Sequence, residues 1–219
     1  PRIIAANRPD APRSAPDPHI FIVNEETSLS DPSVLQARHI PGIGELAITA
    51  FDIERHAPTA HAWLRSDHAR FWGMQSLSAE QIRDYFRQLA AADDFDAFIG
   101  LHDDRPTFLM ERYAPAAEAI GDHYDVQPGD VGMHVLVAPG EKRIPGFTWA
   151  VFVQIMDFLF SDPAVERVVV EPDVTNEGIH PINRRAGFVY HRQVDLPGKT
   201  AWFATCTRED YAAALDASL

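Results

Sequence analysis

The stretch 131–173 does most to limit what this chain of 219 residues can become. "VGMHVLVAP" and "VERVVVEPD" are short apolar runs rich in β-branched residues, and "GFTWAVFVQIMDFLF" between them is long and apolar on nearly every side. Short apolar runs of this kind read as strands and the longer one as a buried helix. Two strands joined by a helical crossover run parallel, because a direct turn cannot return the chain in the same direction. The segment therefore predicts a sheet with a helix packed on its face.

The flanking sequence extends that sheet. "ELAITAFD" alternates like a strand from about position 46, and "APTAHAWLRSDH" continues with helical spacing. "SLSAEQIRDYFRQLAA" opens at Ser78 with Gln81 three residues on, in the manner of a capping box, and repeats apolar residues at Ile82, Phe86 and Leu89. "DAFIGLHDDRPTFLMERYA" predicts a hairpin turning near Asp103 and Asp104, followed by a polar loop over 114–130. Beyond 188, "VYHRQVDLPGKTAWFATC" predicts two strands about a Pro-Gly turn, and "TREDYAAALDA" a last helix capped by Thr207. The expected class is α/β, an α+β mixed sheet with helices on its faces, in one domain over 46–219. Residues 1–45 are assigned to an N-terminal extension, of which 1–19 hold five prolines and little apolar periodicity.

Composition narrows the functions. The net charge of -13, from 19 Lys and Arg against 32 Asp and Glu, repels nucleic acid and anionic membranes, and no basic patch offsets it. The longest apolar run is broken by Gln154 and Asp157, and no leader pattern precedes it, so neither a membrane span nor secretion is expected. A single cysteine, Cys206, excludes an internal disulfide framework and suits a reducing, cytoplasmic setting; late in an apolar strand, it reads as a packed thiol. His56, His61 and His68 lack a ligand motif, so no metal is expected, and no G-x-S-x-G supports serine catalysis.

Two segments carry candidate chemistry. "APGEKRIPGFT" joins the first strand of the crossover to its helix, where unpaired amides and the positive end of the helix dipole favour anionic phosphates. It matches neither a dinucleotide nor an ATP phosphate loop. Its order Arg143, Gly146, Thr148 resembles the R/Q-x-x-G-x-G/A pyrophosphate loop of the GNAT acyltransferases, with Thr in place of the small last residue. The second segment, "EPDVTNEGIHPINRRAGF" at 171–188, sets Ile179, Asn183, Gly187 and Phe188 after Asn176 at spacings that resemble the family's N-x-x-A-x-x-x-Y-x-x-x-G-F. With "FWGM" at 71–74, "ERY" at 111–113 and "GMHV" at 132–135, it is similar to siderophore-biosynthetic acyltransferases of the aerobactin and alcaligin kind, and to mycobactin lysine acyltransferases, over roughly 46–210.

The resemblance implies two parallel central strands that splay apart, with the pantetheine arm of an acyl-CoA against one strand and its pyrophosphate on the following helix. It places Leu136, Val137, Arg143, Gly146, Phe147, Thr148 and Asn176 at the cofactor, a backbone amide near Leu136 on the thioester carbonyl, and catalysis on His134 and Asp173. Asp173 would take the amine's proton while His134 orients the N–OH, or the two exchange roles. Trp72 is a candidate wall of the amine pocket or core. Glu111 and Tyr113, on one strand face, either contact the amine or line the sheet edge. Arg184 and Arg185 read as a solvated helix face. The implied activity is transfer from acetyl-CoA, or another acyl-CoA, to a small-molecule hydroxylated lysine, ornithine or diamine, giving a hydroxamate for siderophore assembly. Acylation of another amine, and acyl-CoA binding without catalysis, remain as alternatives.

Overall fold

The computed structural model describes residues 33–140 and 143–217. The strands β1 (Val34–Ile40), β2 (Gly44–Ala50), β3 (Phe95–His102), β4 (Arg105–Tyr113), β5 (Asp130–Val137), β6 (Arg167–Val170), β7 (Val189–Leu196) and β8 (Lys199–Thr207) form one sheet in the order β1-β2-β3-β4-β5-β6-β8-β7. Only β5 and β6 run parallel among these neighbours. The crossover between them is α3 (Phe147–Ser161), as its length demands. The sheet begins at Val34, inside the stretch assigned to the extension: β1 pairs with β2, and Arg38 bonds Asp157 on α3. The proline-rich segment 1–19 lies outside the described residues.

Local chemistry sets the remaining boundaries. Helix α1 (Ile53–Leu64) starts before the expected 57, because the Asp52 carboxylate caps the Arg55 amide at 2.9 Å. A 3-10 segment, Asp67–Trp72, follows it. Helix α2 (Ala79–Ala90) has the Ser78–Gln81 capping box. The β3–β4 turn falls at Asp103 and Asp104, both at positive φ, as two-residue hairpins require. The expected loop at 114–130 holds two short 3-10 turns, Pro115–Ala117 and Ala119–His123. A short helix α4 (Ile179–Arg185) follows β6, and α5 (Arg208–Asp216) is capped by Thr207.

Helices cover both faces of the sheet. Alternation sends Met110, Met133, Val168 and Val170 towards a core shared with α3 and α5, which includes Ile155, Leu159 and Tyr211. The opposite face packs Leu109, Leu136, Val169 and Phe203 beneath α1, the 3-10 segment and α2, with Leu64, Trp72 and Phe86. The cysteine lies in the first core, 0% exposed.

Candidate active site

The parallel pair is fastened at one end and open at the other. At the fastened end Arg167 makes a two-pronged ion pair with Asp130, at 2.7 and 2.8 Å, and Asp130 also accepts from the Tyr124 hydroxyl and the Gln127 amide. Pairing then runs only as far as Gly132↔Val169. Past that point β5 stays with β4 up to Phe108↔Val137, whereas the chain after β6 follows β8 through Trp202 N–H to Pro172 O and Val174 N–H to Thr200 O. The two strands therefore splay.

Backbone direction alternates along a strand, so the open edge can be read residue by residue. Ala138 N–H bonds Thr107 O on β4, and Arg167 N–H bonds Gly129 O from the β6 side. The even-numbered positions of β5 thus point their backbone at β4, and the odd-numbered ones point theirs towards β6: Met133 at the last β5–β6 pair, Val135 and Val137 into the splay. A backbone amide near Leu136 is expected at the thioester carbonyl; that of Leu136 itself is turned towards β4, and the Leu136 side chain is core. The amides that face the splay on either side of it are those of Val135 and Val137. The Val137 carbonyl is met by His68 Nε2 at 2.9 Å.

A polar cluster sits under α2 where the strands part. His134 on β5 stands opposite Glu111 on β4, with Nδ1 3.2 Å from Glu111 Oε2, and its Nε2 is 2.9 Å from Glu171 Oε1 just past β6. The Tyr85 hydroxyl donates to Glu111 Oε1 at 2.8 Å, and the Tyr113 hydroxyl donates to Glu171 Oε2 at 2.6 Å. Lys199 Nζ donates to the Glu171 carbonyl oxygen at 2.7 Å and lies 3.4 Å from Oε1. The Tyr113 ring stacks on His134 at 4.6 Å, and Trp72 meets the imidazole edge-on at 6.1 Å. Carboxylates only accept, so a proton on each ring nitrogen satisfies both His134 contacts. Burial of Glu171 by itself favours the neutral acid, but the charges of His134 and Lys199 and the hydrogen bonds from His134 and Tyr113 outweigh it. The carboxyl is held well below the usual carboxylate range.

Of the residues expected from sequence, His134, Glu111, Tyr113 and Trp72 meet in this cluster. Glu111 and Tyr113, each 1% exposed, lie in the interior of the sheet and not at its edge, and both face His134 or its partner. Asp173 is half-buried; its Oδ1 accepts from the Thr175 amide and hydroxyl, and it pairs in an isolated bridge with Ala201. His134 and Asp173 are therefore not each other's hydrogen-bond partners in these contacts: Glu171, two residues earlier on the same face, stands in that place. The Asn176 carbonyl accepts the Ile179 amide near the start of α4. Arg143 is exposed, Gly146 caps α3 at φ 76, and nothing lies within 4 Å of where its Cβ would be. The amides of Phe147 and Thr148 belong to the first turn of that helix. Arg184 and Arg185 lie over the rings of Tyr190 and Trp149.

Sequence reasoning did not find Glu171, Lys199 or Tyr85. For Glu171 a signal existed: it ends the run "RVVVE" and, by the two-residue period of a strand, shares a face with Asp173. Lys199 and Tyr85 carried none, since both reach the site from elements distant in sequence. Among the described residues no group of three or more His, Cys, Asp or Glu is arranged to hold a metal ion. No helix among them is long and apolar enough to cross a membrane.

Residues 52–196 match the family described as the acetyltransferase (GNAT) domain. The chain is 30% identical to the N(6)-hydroxylysine O-acetyltransferase of Escherichia coli over 68% of its own length and 48% of that protein's. It is 28% identical to the N(5)-hydroxyornithine:cis-anhydromevalonyl coenzyme A-N(5)-transacylase of Beauveria bassiana, over 80% of its length and 40% of the relative's. The chain thus spans half or less of these curated relatives. Among solved structures, the aminoglycoside acetyltransferase AAC(6')-Ib in complex with coenzyme A shares the fold, with a TM-score of 0.67 at 17% identity over 77% of this chain and 98% of that one.

Proposed function

The chain belongs to the acetyltransferase (GNAT) family, and on that premise we propose that it moves an acyl group from acyl-CoA, acetyl-CoA in the simplest case, to the hydroxylated nitrogen of a lysine, ornithine or diamine. The product is a hydroxamate, the iron-chelating group of a siderophore. One observation carries the reading: an imidazole fixed between two buried carboxylates, His134 with Glu111 and Glu171, where two parallel strands part. The hydroxylated amines named for the Escherichia coli and Beauveria bassiana relatives support the substrate class.

The acyl-CoA is held by backbone more than by side chains. Its pantetheine amides lie along the open edge of β5, at the Met133 carbonyl, the Val135 N–H and C=O and the Val137 N–H. Its pyrophosphate meets Arg143 and the first amides of α3 at Gly146, Phe147 and Thr148, where the helix dipole favours anions and a side-chain-free Gly146 admits close approach. Asn176 supplies a further polar contact from beyond β6. Trp72 walls the amine pocket.

The amine nitrogen attacks the thioester carbonyl carbon, forming the C–N bond as the carbonyl π pair moves to oxygen. The Val135 or Val137 amide stabilises that oxyanion. The proton leaves the nitrogen for His134 Nε2, which serves as acceptor in the neutral ring, where Nδ1–H donates to Glu111 and Nε2 has given up the proton it shares with Glu171. Collapse restores the carbonyl, breaks the C–S bond and releases CoA as thiolate. Asp173, on the same face, accepts from the substrate N–O–H with the oxygen that Thr175 leaves over. An N-hydroxylated amine is largely neutral near pH 7, because the oxygen withdraws electrons. The cluster suits such a substrate, since Glu171 already answers one permanent cation and has little to offer a second ammonium.

The test is turnover of acetyl-CoA with N6-hydroxylysine, N5-hydroxyornithine, lysine and an aminoglycoside, following thiol release. Ferric colour distinguishes a hydroxamate from an O-acyl product. Colour with a hydroxylated amine and none with lysine is expected. Exclusive acylation of an unhydroxylated amine, or acyl-CoA binding with no turnover of any amine, would sink the assignment. His134→Asn should lower kcat about 10²–10⁴-fold, the usual worth of a general base, while acyl-CoA binding persists.

A further inference from the structure

We propose that Lys199 is a positioning residue, which controls through Glu171 how readily His134 takes up and gives up its proton. The inference rests on the reading of His134 as proton acceptor. Lys199 opens β8, directly after the Pro197-Gly198 turn of the β7–β8 hairpin, and its side chain lies on the sheet face that carries Ala201 and Phe203. Its ammonium is anchored on the Glu171 carbonyl oxygen at 2.7 Å, which fixes the charge to the main chain beside the carboxylate. It then shares Glu171 Oε1 with the imidazole: His134 Nε2 at 2.9 Å and Lys199 Nζ at 3.4 Å approach the same oxygen.

One carboxylate oxygen facing two cationic partners cannot fully satisfy both. With Lys199 permanently charged, Glu171 is already partly neutralised, so a second positive charge on the imidazole is stabilised less than it would be by Glu171 alone. Removing that cation leaves the full charge of Glu171 to act on the imidazole, and so changes how readily His134 takes up and gives up its proton. Other groups that face His134 include Glu111 and the Tyr113 ring from β4, the uncharged Trp72 edge from the 3-10 segment, and Tyr85 of α2 acting through Glu111.

The deciding variants are Lys199→Gln, which retains a donor and removes the charge, Lys199→Met, which removes both, and Lys199→Arg, which keeps the charge. In Gln and Met the acid limb of kcat/KM for N6-hydroxylysine should move up by about one pH unit, the scale of one neighbouring charge in a partly buried site, with KM for acetyl-CoA unchanged. Arg should restore the profile. A 15N NMR titration of the His134 ring reads the same shift without turnover. An upward movement of its midpoint in Lys199→Gln supports the coupling even if no hydroxylated amine is acylated, in which case the function fails and the positioning stands. An unmoved midpoint in folded Lys199→Gln overturns the positioning whatever the turnover. A loss of activity that is equal in Gln, Met and Arg, at every pH, would mark a structural role and overturn it too.

Discussion

Replacing Gly132 with alanine tests whether the site is held as described. Gly132 is the last position at which β5 pairs with β6, and the Tyr113 ring lies across it. A Cβ at 132 would stand 2.0 Å from Cε2 and 2.1 Å from Cζ of that ring, where carbon atoms at their optimum are about 3.5–4.0 Å apart. The ring must move, and it has nowhere to go: Tyr113 is 1% exposed, stacked between His134 and Phe95, and tied to Glu171 at 2.6 Å. Overpacking of this kind costs about 1–3 kcal/mol. A lost hydrogen bond to a buried carboxylate costs about 1.5–3 kcal/mol. Together they set the expected loss at about 2.5–6 kcal/mol, a large fraction of a typical domain's stability. Urea titration should show a lower midpoint at unchanged m-value, and turnover should fall with it, since His134 loses both its stacking partner and a properly held Glu171. Tyr113→Ala vacates the ring's space, so Gly132→Ala added to that variant should cost much less than it does alone. A Gly132→Ala protein within about 0.5 kcal/mol of the parent, the ordinary scatter of harmless substitutions, or additivity of the two changes would refute this packing.

Two further outcomes follow from the charges and thiol of the interior. The Glu171 carboxyl is held well below its unfolded value, so its contribution to stability is fully present above about pH 4.3 and lost only as pH falls through the depressed folded value. The stability gap between the parent and Glu171→Gln should therefore stay constant from pH 7 to about pH 5, and narrow in strong acid; a gap that closes between pH 7 and pH 6 contradicts the assignment. Burial, with the Asp210 charge second, pushes the Cys206 thiol up to about 12. Iodoacetamide at pH 8 should leave it unmodified in the native protein and label it in urea; prompt native labelling would show that β8 is open there.

Much of the fold was legible because its causes are local. The Ser78–Gln81 box, the Thr207 cap, the turns at Asp103-Asp104 and Pro197-Gly198, and the β5–α3–β6 crossover all follow from residues close to one another in sequence. The start of the sheet was not legible in this way: β1 reads as part of an irregular leading segment until its pairing with β2 and the Arg38–Asp157 bond are seen. His134, Glu111 and Tyr113 could be singled out as chemical residues, and Glu111 and Tyr113 could be placed on one face by counting in twos. Lys199 and Tyr85 could not.

Sequence by itself determined the strand, helix and strand at 131–173, the polar segment that follows, and the residue types available for chemistry, because periodicity, capping and turn preference act over a few residues. Tertiary structure alone decided which of two acids meets His134. That depends on β6 leaving β5 after Val169 and following β8, which brings Glu171 to the imidazole and Lys199 to Glu171, while Asp173 turns to Thr175. These contacts join residues 111, 134, 171 and 199, and only strand order and register bring such distant positions within hydrogen-bond reach.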